Sequence, residues 1–317
     1  MQVHGLHHVT AVTAQAAGNL DFYTRVLGLR LVKKTVNQDD VSAYHLFYAD
    51  KLGSPGSDMT FFDWPLLGEQ EHGTDSIAET QFRVNGRAAL EYWAGRLAAH
   101  GVAHQGIETA GRYTMLRFAD PEGQRLALVD DEGAPFEGEV WDGEDVPAAM
   151  ALRGFWGVTL SVPDLPRYEP IFSLLMGWEK VEEGPGEGDV RAEALYAMDG
   201  GGPGKFVRVL DEGRAPRARL GAGGVHHVAF RVRDEAEQRE WAARLNSLGV
   251  PHSGEVNRFY FRSLYFRISN GILFELATDG PGFTADEPLE TLGERLSLPP
   301  FLEPRRAEIE AGLQPID

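Results

Sequence analysis

Four short amphipathic segments recur along this chain, each followed by a glycine. The first sets Leu20, Tyr23 and Leu27 before Gly28, and the second sets Leu90, Trp93 and Leu97 before Gly101. The third carries Tyr168, Ile171 and Leu175 ahead of Gly177, and the fourth carries Gln238, Trp241 and Leu245 ahead of Gly249. An i, i+3, i+7 spacing turns one helical face toward a core. Glycine suits the left-handed residue that ends a helix. The separations between Gly28, Gly101, Gly177 and Gly249 are 73, 76 and 72 residues. A period that regular marks four copies of one supersecondary unit.

Each unit opens on a short apolar strand: LHHVTAV, ETQFRV, FWGVTLSV and VHHVAFRV. After each helix come stretches rich in aromatic and branched residues, among them SAYHLFYAD with SDMTFFDW and SLYFRIS with ILFELAT. Breaks at Gly, Asp and Asn divide them as hairpins require. Each unit therefore reads as β-α-β-β-β, and the chain as an α+β protein. Pro147 and its small neighbours mark a junction, giving one pair of units over residues 1–146 and a second over 147–281. EGPGEGDV at 183–190 and GGGPG at 200–204 read as surface loops. From Gly282 to Asp317 the repeat stops. There LSLPPFLEPRRAEIEAGL predicts a turn and a short helix with Ile309 and Leu313 on one face, suited to docking or covering.

Composition narrows the chemistry. With 317 residues and no cysteine, the chain can bury a core without disulfides, and any metal site must use His, Asp and Glu. The net charge of −18 disfavours nucleic acid and anionic membrane surfaces as partners. Neither a signal peptide nor a bilayer-spanning apolar run is evident, so a cytoplasmic location is expected.

Histidines are few, and two adjacent pairs stand out. His7-His8-Val9 and His226-His227-Val228 fall at the same place in the first strands of units one and four. Unit three has Gly157 there, and unit two has Glu79. A core residue would recur in all four copies; a functional one can be confined to two. Units one and four are therefore expected to build a joint site. Glu275 interrupts the apolar strand ILFELAT, where a carboxylate is costly unless paired or metal-bound. Its counterparts read as Phe62, Ala127 and Arg208. Two imidazoles and one carboxylate form the facial triad of non-haem iron chemistry.

Strand alternation lets only one member of each pair face a metal, which selects His8 and His227 and turns His7 and His226 away unless a bulge re-aims them. Thr10 shares the face of His8. If Ile268-Ser269-Asn270-Gly271 is a turn that pairs Ile268 with Ile272, then Tyr265 lies opposite Glu275. A structural role is the usual fate of a lone buried histidine, but repetition of the pair and the presence of Glu275 argue for ligands. His45 reads as a core or pocket-wall residue.

At these residues the chain resembles the vicinal oxygen chelate superfamily, and within it the hydroquinone-type ring-cleaving dioxygenases. The stretches GLHHVTAVTAQAAGNLDFYTRVLGLRLVKKTVN, YHLFYADKLGSPGSDMTFF, GGVHHVAFRV, NRFYFRSLYFR and GILFELATDGPGF carry the resemblance over essentially the whole chain. It implies four modules arranged as two cup-shaped mixed sheets. It also implies Fe(II), replaceable by Mn(II), on His8, His227 and Glu275. Arg258 and Tyr265 would assist catalysis, with Thr10, His7 and His226 near the substrate. The implied partners are a small aromatic diphenol and O₂, and a homo-oligomer is compatible with them. Two rival readings share the fold: a glyoxalase-type isomerase, disfavoured by Phe62 at unit one's carboxylate position, and a metal-free module that sequesters aromatic molecules.

Overall fold

The computed structural model describes residues 1–143, 145–268 and 271–316. The repeat appears as four modules. In the first are β1 (Leu6–Thr13), β2 (Arg30–Val36), β3 (Tyr44–Ala49) and β4 (Asp58–Asp63); in the second, β5 (Ser76–Val84), β6 (His104–Ala110), β7 (Tyr113–Ala119) and β8 (Arg125–Asp130). The third holds β9 (Phe155–Val162), β10 (Glu179–Pro185), β11 (Ala192–Ala197) and β12 (Phe206–Asp211); the fourth holds β13 (Val225–Val232), β14 (His252–Asn257), β15 (Arg262–Arg267) and β16 (Leu273–Thr278). A helix follows the first strand of each module: α1 (Ala16–Asp21), α2 (Gly86–Ala99), α3 (Leu165–Pro170) and α4 (Glu235–Ser247).

The four capping glycines do what their spacing requires. Gly28, Gly101, Gly177 and Gly249 have φ of 66°, 73°, 72° and 68°, a region costly to any residue with a Cβ. The helices themselves differ in a way the apolar period hides. Helices α1 and α3 run on into π-helical turns at Phe22–Val26 and Ile171–Leu175, whereas α2 and α4 are longer and regular. Leu20 and Ile171 are only half-buried, while Tyr23, Trp93, Tyr168 and Trp241 are buried together in one apolar cluster fed by all four modules.

Two eight-stranded mixed sheets result. One runs β14-β15-β16-β13-β1-β4-β3-β2 and the other β10-β11-β12-β9-β5-β8-β7-β6. Each sheet thus joins one module from either side of the junction near Pro147: one with four, and two with three. The seam of the first sheet is the antiparallel pair β1–β13; the seam of the second is β5–β9. One face of each sheet packs on the helices. The other is concave and carries its own small apolar cluster, Val32, Phe47, Ala229 and Phe261 in the first sheet and Met115, Trp156, Leu195 and Phe206 in the second. Strands β1 and β9 are buried along their whole length because both faces are covered.

The outermost strands β6, β10 and β14 contain residues that alternate with more exposed neighbours, as edges do. Part of the glycine-rich stretch expected to be a loop at 183–190 belongs to β10, because backbone pairing with β11 through Glu183, Gly184 and Pro185 extends the edge. The fourth edge, β2, is almost wholly buried, because the C-terminal extension lies on it. Ser297 N–H donates to Lys34 O at 2.8 Å, Phe283 packs on Phe47, and a short helix α5 (Arg306–Gly312) follows with Ile309 buried. The anchor is Lys33, fully buried, whose Nζ donates to Asp286 at 2.7 Å, to Phe283 O at 3.2 Å and to Glu287. It also lies 4.7 Å from the centre of the Tyr260 ring, and the Tyr260 hydroxyl donates to Asp286 at 2.9 Å.

Removing one partner of a buried ion pair strands the other charge. Lys33→Met is therefore expected to lower unfolding free energy by roughly 3–5 kcal/mol. It should also expose residues after Gly282 to proteases before the rest of the chain. Chemical denaturation and limited proteolysis check both; unchanged stability would remove Lys33 as the anchor.

Candidate metal centre

The site grows from an irregular seam. Along β1–β13, Leu6 pairs with Phe230 and His8 with Ala229; farther on, Thr10 pairs with His227 and Ala11 with Val225. His7 and His226 are the extra residues skipped by the ladder, one on each strand. A β-bulge of this kind breaks the alternation and brings two consecutive side chains toward one side. The bulges are the exception allowed for above, and they set His7 and His226 beside His8 and His227.

Each adjacent pair folds onto itself: His7 Nδ1 meets His8 Nδ1 at 2.9 Å, and His226 Nδ1 meets His227 Nδ1 at 2.8 Å. That leaves the Nε2 atoms of His8 and His227 directed inward, 3.2 Å apart. Glu275 completes the group. Its Oε2 lies 3.1 Å from His8 Nε2 and 2.9 Å from His227 Nε2. All three residues are buried, and the group can hold a metal ion. Donor atoms 2.9 to 3.2 Å apart match one octahedral face around an ion about 2.1 Å from each, which sets neighbours about 3.0 Å apart.

Hydrogen bonding decides what the imidazoles offer. Burial, with the neighbouring His8 adding to it, pulls the pKa of His7 down to about 3, so its ring is neutral. His7 Nε2 lies 3.1 Å from the Thr278 carbonyl, which can only accept. The ring proton therefore sits on Nε2, and His7 Nδ1 must accept from His8 Nδ1–H. With that proton on Nδ1, it is Nε2 of the His8 ring that is left to offer a lone pair toward Glu275. The His8–Glu275 contact is accordingly not an ordinary hydrogen bond, and among the described residues neither carboxylate oxygen has a hydrogen-bond partner. Burial opposes ionisation of Glu275, so its charge needs a cation or a donor beside it. A buried anion beside the Nε2 atoms of two imidazoles is an arrangement that a cation satisfies.

A narrow pocket of about 40 Å³ opens over this group. Tyr265 forms one wall, directly across the ladder from Glu275, as the turn geometry required. The flanking Ile268 N–H donates to Ile272 O at 3.0 Å; Ser269 and Asn270, expected in that turn, lie outside the described residues. Burial and the Glu275 charge push the Tyr265 phenol well above its ordinary pKa, keeping it protonated. Arg258 Nε donates to Tyr265 Oη at 3.3 Å, and its other nitrogens reach Asp39 at 2.7 and 3.1 Å. This guanidinium thus spans from module four to a module-one loop.

Other residues fall differently. Thr10 is fully buried and bonds Thr60 Oγ1 at 2.8 Å; Thr60 in turn contacts His45 Nε2 at 3.0 Å, and it is His45 that lines the pocket. His7 and His226 stand behind the triad, with His226 bordering a separate surface cleft beside Arg267. The register also corrects one equivalence. Ala229 pairs with Glu275 as Thr10 pairs with Thr60, so Thr60 rather than Phe62 occupies the matching place in module one. Asn37, Gln38, Asp39 and Phe261 complete the wall. They sit in irregular segments without periodicity, and sequence patterning carried no sign of them.

A family profile for the glyoxalase/bleomycin resistance protein/dioxygenase superfamily matches residues 5–128. The chain is 46% identical over 316 residues to a Bacillus subtilis protein, MhqA, whose name carries the description ring-cleaving dioxygenase; all of both chains is covered. It is 33% identical to the chlorohydroquinone/hydroquinone 1,2-dioxygenase of Sphingobium indicum, covering 97% of this chain and 95% of that one. A Bacillus subtilis crystal structure, titled as a dioxygenase, superposes with a TM-score of 0.91 at 35% identity, covering 100% of this chain and 98% of the other. With near-complete coverage at these identities, the chain belongs to the glyoxalase/bleomycin resistance protein/dioxygenase superfamily.

Proposed function

We propose that this protein is a ring-cleaving dioxygenase that opens a hydroquinone-type ring with O₂, using Fe(II), or Mn(II) in its place, held by His8, His227 and Glu275. The observation that carries the reading is the convergence of two imidazole nitrogens and an unpartnered, fully buried carboxylate on one point. The relatives named for hydroquinone and ring-cleaving activity support the substrate class. Thr60, which bears no carboxylate at the module-one position, weighs against a glyoxalase-type isomerase.

Bound there, a divalent iron would lower the pKa of a coordinated phenol and bring it beside O₂. The chain supplies the rest. His7 presents His8, and His226 backs His227, so that both ligands meet the ion without rotating. Phe62, Phe261 and Phe47 keep the pocket apolar, which strengthens every charge interaction inside it. Tyr265 holds a proton within reach of the ring oxygen, and Arg258 fixes that hydroxyl and offsets negative charge as the ring opens. One ring carbon–carbon bond is broken, and both oxygen atoms of O₂ enter the product.

Reconstitution under anaerobic conditions with Fe(II), followed by a substituted hydroquinone and O₂, should consume one O₂ per ring opened, read with an oxygen electrode and by the product spectrum. Turnover of a glutathione hemithioacetal without oxygen uptake from any diphenol would overturn the reading. Glu275→Gln is expected to lose most bound iron, and full metal content would mean a different carboxylate ligates.

Outer-shell hydrogen bonds to ligating histidines are worth about 10–100-fold in metal affinity. His7→Phe should show a loss of that size in chelator competition, with His7→Gln recovering part of it because an amide can accept and donate at once. In the metal-free protein, ¹⁵N shifts should show His8 protonated on Nδ1 and lose that preference in His7→Phe. Tyr265→Phe is expected to lower kcat by about 10²–10⁴-fold with metal content intact, the usual scale for a proton-transferring side chain. A shift confined to KM would assign Tyr265 to binding instead.

A further inference from the structure

The second sheet has the same concave face as the first, but different residues stand at the site positions. Registers across the two seams place Glu79 where the first sheet has His8, Gly157 where it has His227, and Arg208 where it has Glu275. Glu79 is tied to Arg117 at 3.0 Å, and Arg208 is paired with Glu193. A Cβ on Gly157 would sit 2.6 Å from Phe206 O, so no ligating side chain can stand there. A guanidinium in the carboxylate's place repels cations. This cup is not built for a metal.

It is nevertheless open, with a cavity of about 230 Å³, several times that over the triad. Its floor is apolar: Trp156 and Met115 are buried, and Trp156 stacks on Phe206 at 4.8 Å with Tyr113 edge-on at 4.5 Å. Gln81 on this floor has an oxygen with no partner among the described residues. Gln81 is fully buried, and its Nε2 donates to Glu79 at 2.7 Å and to Thr159 Oγ1 at 3.1 Å. A carboxylate only accepts, so the amide nitrogen must face Glu79. That leaves Oε1 as the free acceptor, with no hydrogen bond. Leaving such an acceptor buried and unmatched is unfavourable.

We propose that this second cup binds a small, neutral hydroxylated aromatic, its ring against Trp156 and its hydroxyl donating to Gln81 Oε1. The donor requirement follows from the lone acceptor, and the single ring from the cavity's size. Neutrality follows from the rim, where each carboxylate already has a cation: Glu182 with Arg112 at 2.9 Å, Glu183 with Lys180 at 2.6 Å, and Glu193 with Arg208. An uncharged phenol meets all three conditions; a quinone, lacking a donor, meets only two.

The test needs neither metal nor turnover, so its outcome is independent of the dioxygenase reading. Binding of 4-fluorophenol to the metal-free chain is followed by ¹⁹F NMR. The expected result is a site weakened roughly tenfold or more by Gln81→Met, the scale of one buried hydrogen bond. Ala110→Trp, which fills the cavity from its partly exposed rim, should weaken it as much while leaving the Gln81 network in place. His227→Ala in the first cup should leave it unchanged, and 4-fluoroanisole, which has no donor, should bind roughly tenfold more weakly. The proposal is overturned if no binding occurs at millimolar phenol, if the anisole binds equally well, or if His227→Ala abolishes binding while the second-cup variants do not.

Discussion

One buried carboxylate organises the first cup. Glu275 sits on a strand that is apolar on either side of it, fully enclosed, with both oxygens lacking a hydrogen-bond donor among the described residues. Such a group is stable only if something cationic faces it or the surroundings are otherwise arranged for its charge. The arrangement here is two imidazoles, and the Thr278 carbonyl helps determine what they present. By accepting from His7 it sends the proton of His8 to the far ring nitrogen. A backbone carbonyl on the end of β16 thus governs the donor set at the centre of the same strand.

The seam between modules one and four makes this possible. A regular ladder would have turned His7 and His226 to the opposite face from their neighbours. Two bulges, one per strand, break the alternation so that His8 and His227 each have a hydrogen-bond partner as their own sequence neighbour. The second sheet has an equivalent irregular seam but uses it differently, with glutamate, glycine and arginine in the corresponding places. The repeated module gives two cups with matching seams, and the residues at a few positions differ between them. The C-terminal extension then covers β2 and braces Tyr260, coupling the first cup's wall to the buried Lys33 cluster.

Much of this was legible beforehand where a signal was local. The glycine period identified four modules, and restriction of the His-His pair to two of them pointed to a joint site. Turn counting placed Tyr265 across from Glu275, because hairpin register follows from the residues of one turn. The matching failed where it depended on registers between distant strands: Phe62 was aligned with Glu275, but pairing across β1 and β4 puts Thr60 there. Thr10, expected at the cup surface, reaches it only through Thr60 and His45. Asp39, Gln38 and Phe261 left no trace because loops that meet only in space share no period.

The sequence alone determined the repeat, the helix ends, the absence of sulfur ligands and the identities of two imidazoles and one carboxylate able to meet. Those follow from local sterics and residue chemistry, which act over a few positions. Tertiary structure alone decided that modules one and four share a sheet, that bulges at His7 and His226 turn both members of each pair to useful work, and which nitrogen of His8 keeps its lone pair. These depend on strand pairing across more than two hundred residues and on a single carbonyl brought within 3.1 Å, and no spacing along the chain encodes such contacts.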